Sequence, residues 1–346
     1  MSVLDRIPLR RVVLAIALVL AGLLADGSTA SAAHSKTFTL RLADNTVAGT
    51  PGEFSLQVFF QNVASLTGGH VRITEYSGGV LGNEASELTQ LQLGTLDSSM
   101  ISTSAITSQL PVLGLFSLPG LFPSDQAVKR LIYNKGTKAV YTPVWNAISK
   151  KVTPDGVVPI TIFSEGPSVL IADRPVASAS DMKGLKLRTL TDTVSTAFFG
   201  LTGAIVVPLP YPQVYTALQQ HLVDGAVAGA AAMQTSSFYQ VAKYLSQIDQ
   251  QYQLDLLFFS KKTWSRLPVA YQAAIRTAAQ RATIYDWKIA DHNTAKAIAQ
   301  MAAEGVTVTP NVDVRSFSAA SATVRTQFAS AVGASILAAA EKLLGI

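Results

Sequence analysis

The chain has 346 residues, of which 49% are hydrophobic and 14% charged, so it can bury a large core and is not disordered. Its formal net charge is +5, but the lysines and arginines are scattered without a basic run, which argues against nucleic-acid binding. It has no cysteine, which excludes disulfides, thiol catalysis and a lipoprotein anchor.

The N-terminus has the pattern of a secretory signal peptide. Three arginines precede the apolar run from Val12 to Leu24, and Ala30-Ser31-Ala32 supplies a small-residue cleavage site, so residues 1–33 are predicted to be removed. A membrane anchor is the alternative, but the run is shorter than the roughly 20 residues that span a bilayer. We therefore expect export by the general secretory route.

The first half of the mature chain alternates predicted strands and helices. Short apolar or period-two runs predict strands, and apolar stripes bounded by glycine or proline predict helices. The strands are predicted at 38–42, 71–76, 96–102 and 157–163, the helices at 51–67, 84–93, 124–134 and 137–149, and a packed loop at 111–123. This β-α-β order indicates an α/β sheet, whose ligands bind at the carboxyl ends of strands. Asn45, Ser102 and Thr103 follow or end such strands and are candidate walls of a binding site.

The second half contains an unusually long helical pattern. Strands are predicted at 169–172, 186–190, 254–260 and 306–309, and helices at 193–201, 261–267 and 268–304, with two more before residue 344. At about 1.5 Å per residue, the helix at 268–304 would extend roughly 55 Å. That length exceeds the width of one lobe, so the helix is expected to brace two.

Arg188 is the strongest candidate for a ligand-binding residue. The alternation from Lys186 to Leu190 places its side chain opposite the leucines and out of the core, and Asp192 is positioned to cap the following helix. A guanidinium is always charged and presents a planar fork of donors that matches a carboxylate. By spacing alone, an exposed arginine in an ion pair is the alternative.

Several motifs occur together in one order around Arg188. They are Asp181-Met182-Lys183-Gly184-Leu185-Lys186-Leu187-Arg188, Gly203-Ala204 with Val207-Pro208-Leu209, Val214-Tyr215-Thr216-Ala217-Leu218-Gln219, Val223-Asp224-Gly225, the upstream Gly79-Val80-Leu81-Gly82-Asn83-Glu84 and Leu118-Pro119-Gly120-Leu121-Phe122, and the downstream Tyr239-Gln240-Val241-Ala242-Lys243-Tyr244-Leu245. Through these motifs the chain resembles the extracytoplasmic solute-binding proteins of tripartite ATP-independent periplasmic (TRAP) transporters, of the DctP type. The resemblance covers nearly all of the mature chain.

The resemblance implies a two-lobed α/β periplasmic binding protein fold of the type II-like kind, with crossing hinge strands and the long helix bracing both lobes. The first lobe is expected to comprise residues 34–165 completed by 254–293, and the second 166–253 completed by 294–346. Gly166 suits a crossover strand that bends. The implied function is capture of a small organic acid between closing lobes and its delivery to the integral membrane permease subunits of a TRAP transporter, by a monomer in the periplasm.

The resemblance also assigns roles to individual residues. In the family the arginine that matches Arg188 clamps the ligand carboxylate, and the same role is implied here. Tyr211 stands where the family places an aromatic ring against the ligand; the alternative is a half-buried tyrosine at a turn.

Two positions depart from the family pattern. Many members carry an arginine where this chain has Ser168 and an asparagine where it has Ala228. Because these replacements remove hydrogen-bonding groups, the pocket is predicted to suit one carboxylate with an apolar body rather than a multiply charged or heavily hydroxylated ligand. Glu165 is expected either to neutralise Arg188 or to bind an amine of the ligand.

No catalytic or metal site is predicted. The four histidines lack metal-ligand spacing, and the sequence has no Gly-x-Ser-x-Gly elbow, Walker loop or dinucleotide-binding glycine motif. We therefore expect no enzymatic activity, no metal and no cofactor. A periplasmic enzyme or ligand-sensing domain on the same fold is the alternative function.

Overall fold

The computed structural model describes residues 36–46, 48–133 and 141–346. The predicted signal peptide at 1–33 and the predicted helix start at residue 137 lie outside these residues. In this part of the chain, no helix is both long and apolar enough to cross a membrane.

The strands form two half-sheets that share one long strand. The strands are β1 (Phe38–Asp44), β2 (Val71–Tyr76), β3 (Ser98–Ser102), β4 (Val157–Ala172), β5 (Lys186–Thr189), β6 (Ile205–Pro208), β7 (Gly225–Gly229), β8 (Tyr244–Ser246), β9 (Tyr252–Ser260) and β10 (Thr307–Val308). The first half-sheet has the order β2-β1-β3-β9-β4, and the second has β10-β8-β4-β7-β5-β6. Each half-sheet forms the centre of one lobe.

The helices pack on these half-sheets. They are α1 (Pro51–Leu66), α2 (Glu84–Leu93), α3 (Asp125–Ile132), α4 (Pro143–Val152), α5 (Thr193–Leu201), α6 (Val214–Gln219), α7 (Ala230–Thr235), α8 (Lys261–Arg266), α9 (Val269–Ala303), α10 (Ser318–Val332) and α11 (Ala334–Leu344). Asn83 caps α2 and Asp192 caps α5, each by accepting a backbone N–H with its side chain, an interaction that contributes about 1 kcal/mol. The cap by Asp192 is predicted from the sequence.

The strand β4 passes from one half-sheet to the other. Its first part pairs antiparallel with β9, as far as Pro167 opposite Tyr252, and its last five residues, from Ser168, pair antiparallel with β7. The sequence predicts two strands here, at 157–163 and 169–172, whereas the structure has one. One of the two register shifts in its pairing with β9 lies between Ser164 and Gly166, and the Gly166 φ of 86° lets the chain pass this bulge and remain extended.

The 35-residue helix α9 contacts both lobes, as its predicted length implied. Its first half packs Ile275 and Ala282 into the core beneath the first half-sheet. Its second half packs Ala297 and Met301 into the core beside β7 and β8. One continuous helix therefore contributes to the hydrophobic cores of both lobes.

The remaining differences concern short elements. Sequence periodicity does not predict β6, β7 or β8, because runs of four, five and three residues are too short to show it. The predicted loop at 111–123 begins as a 3₁₀ helix, Pro111–Ser117, and its phenylalanines lie in the core. The C-terminal helix α11 packs on α3 and α4, while α10 packs on α5.

Replacing Gly166 with alanine is expected to lower the free energy of unfolding by about 1 to 3 kcal/mol. Alanine is strained at this positive φ, and its Cβ would overlap the Thr294 hydroxyl on α9. Urea denaturation measures the change. The matched control is Gly200→Ala in α5, where no heavy atom lies within 4 Å of the new Cβ and alanine is the better helix former. Equal effects of the two substitutions would contradict a strained crossing at Gly166.

Candidate functional site

A cavity of about 90 Å³ lies where the two half-sheets meet, several times the roughly 10–15 Å³ that one water molecule needs. The cavity is bordered by the residues that follow β1, the end of β3, the middle of β4 and the beginning of β9. Its lining comprises Asn45, Thr46, Thr50, Glu84, Met100, Ser102, Glu165, Arg188, Leu190, Tyr211, Ala228, Gly229, Ala232, Gln253 and Asp255.

Arg188 on β5 contributes the only positive charge among these lining residues. Its Nε donates to the Leu209 carbonyl at 2.9 Å and its Nη1 to the Val227 carbonyl at 3.2 Å. Its Nη2 is buried and has no hydrogen-bond partner in the described residues. Burial lowers the pKa of Arg188 to about 10, so the guanidinium remains charged at neutral pH. A charged donor is thus held rigidly and left available in the cavity.

The burial of Arg188 corrects one expectation from the sequence. Alternation in β5 places the arginine on the face opposite Leu187, away from the apolar core, but the side chain is 0% exposed. Strand alternation specifies which face a residue occupies, not what covers that face. Here the covering groups come from distant segments that line the same cavity.

Tyr211 lies beside the guanidinium. Its ring centroid is 5.7 Å from the Arg188 Cζ, and the ring stacks on Phe238 at 5.5 Å. Its hydroxyl donates to the Ser236 Oγ at 3.1 Å, which fixes the ring orientation. Tyr211 therefore presents an aromatic surface next to the free guanidinium nitrogen.

Glu165 on β4 is held by the N-terminus of α1. Its Oε1 accepts the Gly52 backbone N–H at 2.8 Å, and a Cβ at position 52 would overlap that oxygen, so glycine is required for this approach. Its Oε2 is buried without a hydrogen-bond partner in the described residues. Burial, and next the charge of Asp286, raise the pKa of Glu165 to about 8. The charge of Arg188 is not among the main causes of the Glu165 pKa shift, nor is that of Glu165 among the causes for Arg188.

Two further acidic residues line the cavity and were not singled out in the sequence. Burial raises the pKa of Glu84 to about 7, opposed by the Ser102 backbone N–H, which donates to its Oε1 at 2.7 Å, and by the charge of Arg188. Burial, followed by the charge of Glu165, raises the pKa of Asp255 well above its usual range. A lone aspartate within the otherwise apolar run 254–260 was the sequence signal for this residue.

Of the eight predicted site residues, the structure brings six to this cavity: Arg188, Tyr211, Glu165, Ala228, Asn45 and Ser102. Ser168 is buried outside the lining, and its Oγ accepts a hydrogen bond from the Gln253 Nε2 at 2.7 Å. Thr103 is buried at the start of a 3₁₀ helix, also outside the lining. Gln253, the partner of Ser168, does line the cavity.

The acidic side chains do not form a metal site. Within the described residues, no group of three or more His, Asp or Glu side chains is arranged to hold an ion.

Comparison with known proteins places the chain among binding proteins. Residues 42–331 match the family model DctP, described as bacterial extracellular solute-binding protein, family 7. A solute-binding protein of Verminephrobacter eiseniae is 28% identical over 86% of this chain and 87% of its own length. The 2,3-diketo-L-gulonate-binding periplasmic protein of Escherichia coli is 26% identical over 87% and 89%, respectively.

The fold is shared with solved structures. The crystal structure of a TRAP periplasmic solute-binding protein from Polaromonas sp. JS666 bound to D-erythronate matches with a TM-score of 0.81 at 26% identity, covering 88% of this chain and 98% of that one. The predicted two-lobed α/β fold is thereby confirmed. The matched family and structures are substrate-binding transport proteins and not enzymes.

Proposed function

The chain belongs to bacterial extracellular solute-binding protein family 7, the DctP family, and from this membership we propose that it captures a small monocarboxylate for the permease of a TRAP transporter. The observation that carries the proposal is the buried Arg188, whose Nη2 has no hydrogen-bond partner in the described residues and is available to an anionic ligand. A ligand carboxylate supplies two acceptors of the geometry that a guanidinium fork requires.

The charges around the cavity favour one carboxylate over two. Arg188 is the single cation among the lining residues, and it is accompanied by Glu84, Glu165 and Asp255. A second ligand carboxylate would therefore lie among three carboxyl groups with no second cation to pair with, and burying an unpaired charge in a site of low dielectric is costly. The relatives that bind D-erythronate and 2,3-diketo-L-gulonate are consistent with this choice, since each of those ligands has one carboxylate.

The apolar part of the lining supports an apolar ligand body. Met100, Leu190, Ala228 and Ala232 contribute aliphatic surface, and Tyr211 contributes an aromatic face. We propose that the two lobes close on this body by bending at the crossing strands, in the periplasm after removal of residues 1–33. The closed protein then delivers the acid to the integral membrane permease subunits.

The test is the identity of the bound acid. Mass spectrometry of the material released on denaturation identifies a co-purified ligand, and a thermal-shift screen of mono- and dicarboxylates and sugar acids identifies the best one. We expect a monocarboxylate with an apolar or aromatic body to give the largest shift, binding to be unchanged by a chelator, and solution scattering to show a smaller radius with ligand.

A dicarboxylate that gives the largest shift would contradict the choice of a monocarboxylate. Turnover of the released acid by the purified protein would instead favour a periplasmic enzyme. Adjacent genes for one small and one large membrane subunit would support the transporter assignment.

A further inference from the structure

The cavity contains more carboxyl groups than its single arginine can pair with. Three carboxyl side chains, Glu84, Glu165 and Asp255, line it together with Arg188. A ligand that brings only a carboxylate satisfies the arginine and adds a fourth acidic group to the same enclosed space. Uncompensated charges in such a space are unfavourable, so either the side chains bind protons or the ligand brings a cation.

Among the three carboxyl side chains, Glu165 has an oxygen that is available to a ligand. It is only 8% exposed, and one of its oxygens is already used by the Gly52 N–H at 2.8 Å. The second oxygen, Oε2, is buried and makes no hydrogen bond in the described part of the chain, although the Thr50 side chain, which also lines the cavity, lies close enough to lower the Glu165 pKa.

The unpartnered Glu165 oxygen and the unpartnered Arg188 nitrogen belong to different strands. Glu165 lies on β4 at the crossing between the lobes, and Arg188 lies on β5 in the second half-sheet. Tyr211 is close enough to both that each influences its pKa, the arginine lowering it and the glutamate raising it. The cavity therefore presents an unpartnered cationic donor and an unpartnered acidic acceptor, with the Tyr211 ring near both.

We infer that the ligand carries an ammonium group as well as its carboxylate, the carboxylate binding Arg188 and the ammonium binding Glu165 with Asp255 close by. This inference rests on the proposed function, because it concerns the same cavity. A metal ion does not serve in place of the ammonium, since the described acidic groups are not arranged to coordinate one. A ligand hydroxyl satisfies one acceptor but adds no positive charge, so it leaves the excess of carboxylates unbalanced.

The experiment compares acids that differ only at one substituent. Isothermal titration at neutral pH uses butanoate, the 2-, 3- and 4-aminobutanoates and the corresponding hydroxybutanoates, with D-erythronate as a hydroxylated acid. We expect one aminobutanoate to bind at least ten-fold more tightly than every hydroxybutanoate and than butanoate. Because the position of the amine is varied, the result does not depend on a particular spacing between the two ends.

The substitution Glu165→Gln separates charge from packing. Glutamine retains an oxygen for the Gly52 N–H and fills the same space, but it carries no charge. We expect this variant to lose at least ten-fold in affinity for the preferred aminobutanoate while its affinity for D-erythronate or the hydroxybutanoates stays the same or rises. The exposed Glu304→Gln serves as the control for net charge and is expected to change neither.

The outcomes distinguish this inference from the proposed function. If D-erythronate or a hydroxybutanoate binds more tightly than every aminobutanoate, or if Glu165→Gln binds the preferred aminobutanoate as well as the original protein, the ammonium site is wrong while acid capture stands. If none of these acids nor any acid of the thermal-shift screen binds, both are wrong.

Discussion

Replacing Arg188 with alanine is expected to weaken binding of the best acid by about thirty-fold or more, equivalent to roughly 2 to 5 kcal/mol. The side chain is fully buried, and its Nη2, which has no hydrogen-bond partner in the described residues, is the donor proposed for the ligand carboxylate. Arg188→Lys is expected to recover part of the affinity, because a lysine restores the charge but not the planar fork. Titration calorimetry on both variants measures the loss.

Replacing Arg188 with alanine is also expected to lower the free energy of unfolding, and this effect must be measured separately from binding. The Arg188 Nε and Nη1 satisfy the carbonyls of Leu209 and Val227, and alanine leaves both buried acceptors without these donors. Circular dichroism and thermal denaturation of each variant therefore accompany the titrations. The exposed Arg174→Ala is the matched control and should bind like the original protein. A folded Arg188→Ala protein with unchanged affinity would contradict the role of this residue.

The free energy of unfolding of the ligand-free protein is expected to fall by a few kcal/mol as the pH rises from about 5 to about 8. Burial raises the pKa values of Glu87 and Glu165 to about 8 and that of Glu84 to about 7. In the unfolded chain these carboxyls lose their protons near pH 4.5, so across this interval the folded state holds more protons. Stability from these groups is therefore complete at acidic pH and is lost as each folded-state pKa is passed.

Urea denaturation at several pH values, followed by tryptophan fluorescence, measures this slope. Glu87→Gln should flatten it, because the amide resembles the protonated acid and can still accept from the Asn45 Nδ2 that now contacts the Glu87 Oε1 at 2.8 Å. Glu304→Gln, on the surface, should leave the slope unchanged. The Asp181 carboxyl, whose pKa is lowered by hydrogen bonds from Ser178 and the Ala177 backbone N–H, acts only at more acidic pH and with the opposite sign. A stability that rises from pH 5 to pH 8 would contradict the assignment.

Local patterns in the sequence determined the elements and the family. The long apolar pattern after Pro268, uninterrupted until Gly305, predicts α9 within one residue at each end, because nothing in it favours ending a helix. Glycines mark the bend at 166, and the motifs around Arg188 identify the family. The loops after β1 and at the end of β3 were candidates for the site because parallel strands direct their carboxyl ends to one edge.

The tertiary structure alone decided which groups share the cavity and which of them are buried. Arg188, Glu165 and Asp255 lie on three strands that are distant in sequence, and they meet only because β4 pairs with β9 in one lobe and with β7 in the other. Periodicity describes the face of a single strand and contains no information about the segment that covers it. For that reason the sequence identified the arginine but not its full burial, and it placed Ser168 at the ligand although Ser168 lies outside the cavity lining and its hydroxyl accepts a hydrogen bond from Gln253.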